Sequence, residues 1–134
     1  MAVRVVLDTN ILLSGILFGG VPGEILLHAR KSKFTPVTSL YILQEFRRVA
    51  EGKFDLESNL VGNLIEEILS FSELIPVVNS EGSWTKDVSD NPIIETARKG
   101  KAEMLVTGDV RLQKTDVVDL KILSPKTFLE SLSK

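Results

Sequence analysis

The stretch that decides the fold is VRVVLDTNILL, residues Val3–Leu13. Its first carboxylate, Asp8, follows an apolar run and stands where a predicted strand ends and a helix begins. The residues before Asp8 are mostly β-branched, which favours a strand buried on both faces of a parallel sheet. Asp8 then marks the carboxyl edge of the sheet, where ligands bind in open parallel sheets because the crossovers leave a crevice. The alternative is that Asp8, Thr9 or Asn10 only caps the following helix.

Length, composition and charge limit the class of protein. A chain of 134 residues with 43% hydrophobic residues can bury one core, so we expect a single domain over residues 1–134. The net charge of -2 excludes a general polycation, so contacts to nucleic acid would need local basic patches. The absence of cysteine excludes disulfides and thiolate zinc sites. Neither a signal peptide nor a membrane-spanning apolar stretch is evident, which predicts a cytoplasmic protein.

Strand and helix signals alternate along the rest of the chain. Apolar residues at helical spacing, with caps and glycine breaks, predict helices over residues 11–18, 22–33, 39–52, 56–71 and 91–99 and from residue 124 onward. Short apolar runs predict further strands over residues 34–38, 74–78, 102–107 and 120–123. Pro36 places the first of these at a sheet edge or at a strand start. This alternation predicts a three-layer α/β/α sandwich with a mainly parallel central sheet.

Acidic residues from distant parts of the chain should meet at one edge of this sheet. If the strands that end at Asp8 and Asp109 are parallel, both carboxylates lie at the carboxyl edge, and the helix that precedes the second strand starts there, at Asp90. No lysine or arginine is required between them, so the carboxylates should repel one another unless a cation neutralises them. Oxygen ligands on a rigid edge suit Mg²⁺ or Mn²⁺. The sequence therefore predicts a divalent metal site.

Glu45 is the candidate for a fourth acidic ligand. It lies at the border of the apolar stripe of its predicted helix, so its carboxylate can point inward. It also lies about 10 Å into that helix, at 1.5 Å per residue, and it reaches the metal site only if the helix leans across the edge. The alternative is an ordinary glutamate at the border of a buried face.

Taken together, these motifs resemble the PIN-domain nucleases, and in particular the VapC-like toxin branch of that family. The resemblance spans nearly the whole chain, and it rests on VLDTNIL at residues 6–12, Glu45, Asp90-Asn91 at a helix start, and VTGD at residues 106–109. It implies a PIN-like fold and a Mg²⁺- or Mn²⁺-dependent endoribonuclease, the toxin of a toxin–antitoxin pair. It also implies an RNA substrate, an antitoxin partner, and a homodimer or higher homo-oligomer. The catalytic, metal-binding acids would be Asp8, Glu45, Asp90 and Asp109, with Asn10 and Thr107 as polar supports.

Arg111 departs from the family pattern. Relatives often carry another acid two residues after the Thr-Gly-Asp aspartate, so a second metal ion should bind poorly here. Arg111 is also the main candidate for a contact to substrate phosphate, because it lies in the loop predicted immediately after a proposed ligand, Asp109.

Two other classes stay open. A non-catalytic PIN-like module for nucleic-acid binding or assembly would keep the fold without cleavage. A phospho-accepting receiver-like domain would need a lysine after a late strand, where this chain has Thr107-Gly108-Asp109.

Overall fold

A computed structural model describes residues 2–79 and 91–133 of the protein. Within these residues the chain forms five strands that make one all-parallel sheet in the order β3-β2-β1-β4-β5. The strands are β1 (Arg4–Leu7), β2 (Thr35–Ser39), β3 (Glu73–Ile75), β4 (Met104–Val106) and β5 (Lys121–Leu123). The helices are α1 (Thr9–Leu17), α2 (Gly20–Arg30), α3 (Leu40–Gly52), α4 (Ser58–Phe71), α5 (Asn91–Lys99), α6 (Val110–Gln113) and α7 (Pro125–Leu132). The predicted three-layer α/β/α architecture is confirmed.

The strand order places β1 at the centre of the sheet. From β1 the chain moves outward on one side through β2 to β3, and it later returns to the other side of β1 to form β4 and β5. The chain leaves β1 toward β2 and leaves β4 toward β5, in opposite directions, which opens a crevice at the carboxyl ends of β1 and β4, the usual ligand site of open α/β sheets. Asp8 is the residue that follows β1, and its N–H continues the ladder by donating to the Val106 carbonyl at 2.9 Å. Asp8 therefore lies at the switch point of the sheet.

The core is formed by β-branched strand residues and by the inward faces of the helices. Val5 and Val6 are completely buried, as expected for a strand covered on both faces. The largest fully buried side chains are Phe34, Phe46, Phe128, Leu7, Leu12, Ile25, Leu26, Ile42, Ile68, Ile94, Leu105 and Leu112. These residues come from nearly every element, so one continuous core fixes the orientation of the sheet edge.

Pro36 lies in an interior strand, since β2 pairs with both β1 and β3. Thr35 donates its N–H to Val3 on the β1 side at 2.8 Å, so the following residue faces β3. Pairing between β2 and β3 begins only at Val37. The prediction that Pro36 lies in an edge strand is therefore wrong, and the prediction that it lies at a strand start is confirmed. Pro36 has no N–H to donate, and at this position β3 does not yet pair with β2.

One helix break agrees with the sequence prediction, and one short helix was missed. The α1–α2 break falls at Gly19 and Gly20, as predicted, and both glycines have positive φ. The short helix α6 was not predicted, because four residues carry too little periodicity to be recognised.

Among the described residues, no single helix has the length and apolar character needed to cross a membrane. Only α1 and α2 taken together would meet such a test, as a pair bent by 97°.

Candidate active site

Asp8 combines a capping role with a place in the crevice. It is the N-cap of α1, and its Oδ1 accepts the Thr9 N–H at 2.7 Å. Its Oδ2 accepts the Thr107 hydroxyl at 2.7 Å, across the β1–β4 pair. A carboxylate offers about four lone-pair sites, so these two hydrogen bonds fix the group and leave acceptor capacity on both oxygens. The capping alternative and the ligand prediction are thus compatible.

Asp8 is a buried carboxylate, with 7% of the residue exposed. Burial raises the pKa of Asp8, the hydrogen bonds from Thr107 and Thr9 partly oppose this, and the negative charges of Glu45 and Asp109 raise it further. Within the described ranges, no lysine, arginine or histidine forms an ion pair with Asp8. A buried carboxylate without a cation is costly to ionise, and a divalent cation bound to it would remove that cost.

Asp109 follows β4 and caps α6. Its Oδ1 accepts the N–H groups of Arg111 at 2.9 Å and of Leu112 at 3.3 Å. Its N–H donates to the Thr107 hydroxyl oxygen at 3.1 Å, so Thr107 contacts both aspartates and sets their spacing. The Arg111 guanidinium lies 3.2 Å from Asp109 Oδ2. The expected repulsion between the acids is therefore partly compensated at Asp109, because the short helix brings Arg111 back onto its own cap.

Glu45 lies on the second turn of α3 and points into the same crevice, with 26% of its side chain exposed. The Tyr41 hydroxyl, one helical turn earlier, donates to Glu45 Oε2 at 3.2 Å. Burial raises the pKa of Tyr41 to about 12, with the Glu45 charge adding to the effect, so the hydroxyl keeps its proton at neutral pH. Arg48 approaches Glu45 to 3.8 Å from a largely exposed position. Helix α3 thus leans far enough for Glu45 to face Asp8.

The crevice is an open cleft of about 410 Å³ at the carboxyl edge of the sheet. Its lining combines the acids with hydroxyl, amide, aromatic and basic side chains. These residues are Asp8, Thr9, Asn10, Leu13, Ser14, Phe18, Tyr41, Glu45, Arg48, Val49, Lys53, Phe54, Ile93, Asp109 and Arg111. Asn10 is exposed beside Gly108, whereas Thr107 is fully buried beneath the cleft.

The predicted metal ligands are only partly brought together. Asp90 lies outside the described residues. Among residues 2–79 and 91–133, no three acidic or histidine side chains form a group able to hold a metal ion. Asp8, Glu45 and Asp109 nevertheless line one cleft and interact electrostatically. Their carboxylate oxygens are the donors that Mg²⁺ and Mn²⁺ prefer, so the donor chemistry fits a divalent cation.

Several cleft residues were missed by the sequence analysis, among them three aromatic side chains. Tyr41 could have been found from its i, i+4 spacing to Glu45, which places both side chains on one helix face. Phe18 and Phe54 carried no such signal, because they lie far apart in sequence and meet only through the packing of α1 against α3.

The sheet is all-parallel, a buried carboxylate lies at its switch point, and two more acids line the same cleft. These features define an α/β domain with an acidic ligand site. The PIN-domain family profile matches residues 4–111, and the chain belongs to this family. PIN domains are generally nucleases that use divalent metal ions.

The fold has a solved counterpart, the crystal structure of VapBC2 from Rickettsia felis bound to a DNA fragment from their promoter. The two chains share 17% identity with a TM-score of 0.60, and the match covers 90% of this chain and 98% of the other. No curated protein matches the sequence.

The raised pKa of Asp8 gives a stability prediction with a definite sign. Below pH 3.8, the pKa of Asp8 in the unfolded chain, Asp8 is protonated in both the folded and the unfolded state. As the pH rises above 3.8, Asp8 loses its proton in the unfolded chain first. Asp8 therefore lowers native stability increasingly as pH rises from 3.8 through its raised folded pKa. In EDTA, Asp8→Asn should melt at or above the wild type at pH 7, and this advantage should shrink toward pH 4.

Thermal unfolding followed by circular dichroism between pH 4 and pH 8 measures this difference. Asp116→Asn, at an exposed aspartate outside the cleft, is the matched control and should show no such trend. An Asp8→Asn variant that melts well below the wild type at pH 7 in EDTA would mean that hydrogen bonding at Asp8 outweighs its burial.

Proposed function

We propose that the protein is a Mg²⁺- or Mn²⁺-dependent endoribonuclease that hydrolyses phosphodiester bonds in RNA. The observation that carries the proposal is Asp8, a buried carboxylate at the switch point of a PIN fold that has no cation partner among residues 2–79 and 91–133. Side chains that only cap surface helices are ordinarily solvated. Asp8 is buried instead, and a bound divalent cation would offset the free energy that ionising a buried carboxylate costs. The PIN family supplies the reaction class, and the acidic cleft supplies the place for it.

The side chains around the cleft divide into three roles. Asp8, Glu45, Asp109 and, from the sequence, Asp90 would hold the metal ion. That ion, when bound, supplies a water of lowered pKa and positive charge beside the phosphate. Thr107 and the Thr9 N–H orient Asp8, and the Tyr41 hydroxyl orients Glu45. Asn10 lies at the rim as a polar support, and Arg111 offers a guanidinium to substrate phosphate once it leaves Asp109.

We also propose that the protein is the toxin of a toxin–antitoxin pair. The solved VapBC2 counterpart supports this through its fold. The proposal includes a cytoplasmic location, a small antitoxin partner, and a homodimer or higher homo-oligomer. An antitoxin-like reading frame next to this gene would support the pairing.

The Arg111 contact favours one alternative, a PIN-like module that binds nucleic acid without cutting it. Arg111 occupies an oxygen of Asp109 that a metal ion would need, and it stands where relatives often carry a further acid. If this ion pair persists when RNA binds, the metal site loses one of its ligands. Binding of RNA without cleavage is the signature of this alternative.

The test is cleavage of a fluorescein-labelled single-stranded RNA of mixed sequence by the metal-stripped protein. We expect cleavage after addition of Mg²⁺ or Mn²⁺, no cleavage in EDTA, and no cleavage of a DNA of the same sequence. Equal cleavage with metal and with EDTA would contradict metal dependence. Binding of the RNA without cleavage in either metal would replace the nuclease by the non-catalytic module.

A further inference from the structure

An exposed aromatic side chain stands at the mouth of the acidic cleft. Phe18 is 71% exposed, although most phenylalanines bury their rings. It is the C-cap residue of α1, and its N–H donates to the Ser14 carbonyl at 2.9 Å. Gly19 and Gly20 then turn the chain away with positive φ. The backbone of Phe18 is therefore fixed, while its ring faces solvent beside the acids.

Phe54 supports this ring from the side. The two ring centroids are 5.7 Å apart with an interplanar angle of 60°, an edge-on arrangement in which the rings do not cover each other face to face. The Lys53 ammonium lies 5.6 Å from the centroid of Phe54. Phe54 thus already has a cation partner on its ring, and Phe18 is left as the open aromatic surface of the cleft.

Two cations line the cleft together with the aromatic pair. Lys53 is exposed, and the Arg48 side chain is 73% exposed with only a 3.8 Å approach to Glu45. Both line the cleft together with Phe18 and Asp8. Proteins that bind single-stranded nucleic acids combine an aromatic face with exposed cations, because bases stack on the ring while phosphates pair with the cations.

We propose that Phe18 is a stacking platform for one unpaired base of the RNA strand, with Lys53 and Arg48 in contact with the flanking phosphates. This inference rests on the proposed nuclease function and adds to it one residue that contacts a base of the substrate. A base paired within a duplex cannot present its face to Phe18, so duplex RNA is excluded from this contact.

A single projecting ring favours a base over a protein partner. Helix-in-groove docking uses several apolar anchors at helical spacing. Leu13 and Ile93 are buried, and Val49 and Phe54 are half-buried, so Phe18 is the one exposed apolar side chain among the described cleft residues. An apolar helix face would desolvate the charges of Lys53 and Arg48, whereas phosphates can pair with them.

The test is binding of a fluorescein-labelled eight-nucleotide single-stranded RNA, measured by anisotropy in EDTA so that cleavage does not interfere. We expect Phe18→Ala to raise the Kd by roughly 5- to 150-fold, the range for loss of one stacked base. Phe18→Trp should keep the wild-type Kd. An RNA of the same length with all bases removed should bind wild type and Phe18→Ala equally.

Val118→Ala, at a 76% exposed apolar residue outside the cleft, is the control for loss of surface area. An unchanged Kd for Phe18→Ala overturns the inference, and so does wild-type protein that binds no RNA. If Phe18→Ala alters only the oligomeric state by light scattering, Phe18 is a protein contact and the inference also fails. A parallel Mn²⁺ cleavage assay separates the two proposals: a wild type that binds through Phe18 and does not cut contradicts the nuclease alone.

Discussion

Asp8→Asn should reduce Mn²⁺-dependent RNA cleavage on the order of 100- to 1000-fold, as typically follows loss of one preorganised electrostatic group in an active site. The amide keeps the size of the side chain, and its oxygen can still accept the Thr9 N–H, so α1 keeps its cap. What is lost is the negative charge at the switch point, and a neutral amide is a weaker ligand for a hard cation. Initial rates on the labelled RNA at saturating Mn²⁺ measure the effect.

The matched control for this loss of charge is Asp116→Asn. Asp116 is exposed and outside the cleft, so its variant should cut RNA at the wild-type rate. An Asp8→Asn variant that folds and retains activity within a few-fold of wild type would show that Asp8 is a helix cap and no more. Because the same variant should be at least as stable as wild type in EDTA, low activity cannot be assigned to unfolding.

Phe128→Ala should lower the free energy of unfolding by about 3–5 kcal/mol, the usual cost of truncating a buried phenylalanine. Phe128 is completely buried in α7, and its ring meets Phe34 edge to face with centroids 5.0 Å apart. The loss combines burial of a large ring, a cavity and an aromatic pair. Urea denaturation at pH 7 measures the change.

The Phe128 prediction also tests a part of the chain beyond residues 4–111, where the family match ends. Helix α7 packs on α2 and covers the start of β2 through Phe34. Lys126→Ala, at an exposed position of the same helix, should change stability by no more than about 0.5 kcal/mol. A loss below about 1 kcal/mol for Phe128→Ala would mean that α7 adds little to the core, contrary to its burial.

Local patterns in the sequence were sufficient for the fold. The β-branched run before Asp8, the capping serines and the Gly19-Gly20 break each determine a strand, a helix start or a helix end through the conformations that their own residues allow. Alternating strands and helices then leave few topologies, because parallel crossovers are right-handed. This is why the place of Asp8, at the carboxyl end of a doubly covered strand, could be predicted.

Tertiary structure decided the surroundings of the acids. Whether Glu45 faces Asp8 depends on how α3 leans over the sheet, which follows from side-chain packing against β2 and α1. The Thr107 hydroxyl links Asp8 and Asp109 only because β1 and β4 are neighbours in register. Sequence spacing carries no information on such contacts, since they join residues about one hundred positions apart.

The charge balance of the cleft was likewise beyond the sequence. The acidic motif predicted mutual repulsion, and a four-residue helix turned Arg111 onto Asp109. Of the three described acids in the cleft, Asp8 is the one without an ion pair to a described residue. The contact between Phe18 and Phe54 was also beyond the sequence. The two residues follow the ends of α1 and α3, which pack together only in the folded chain. The sequence by itself determined which elements form and which acids end them, because both depend on neighbouring residues. Only the tertiary structure decided which charges and rings come together, because those contacts depend on how distant elements pack.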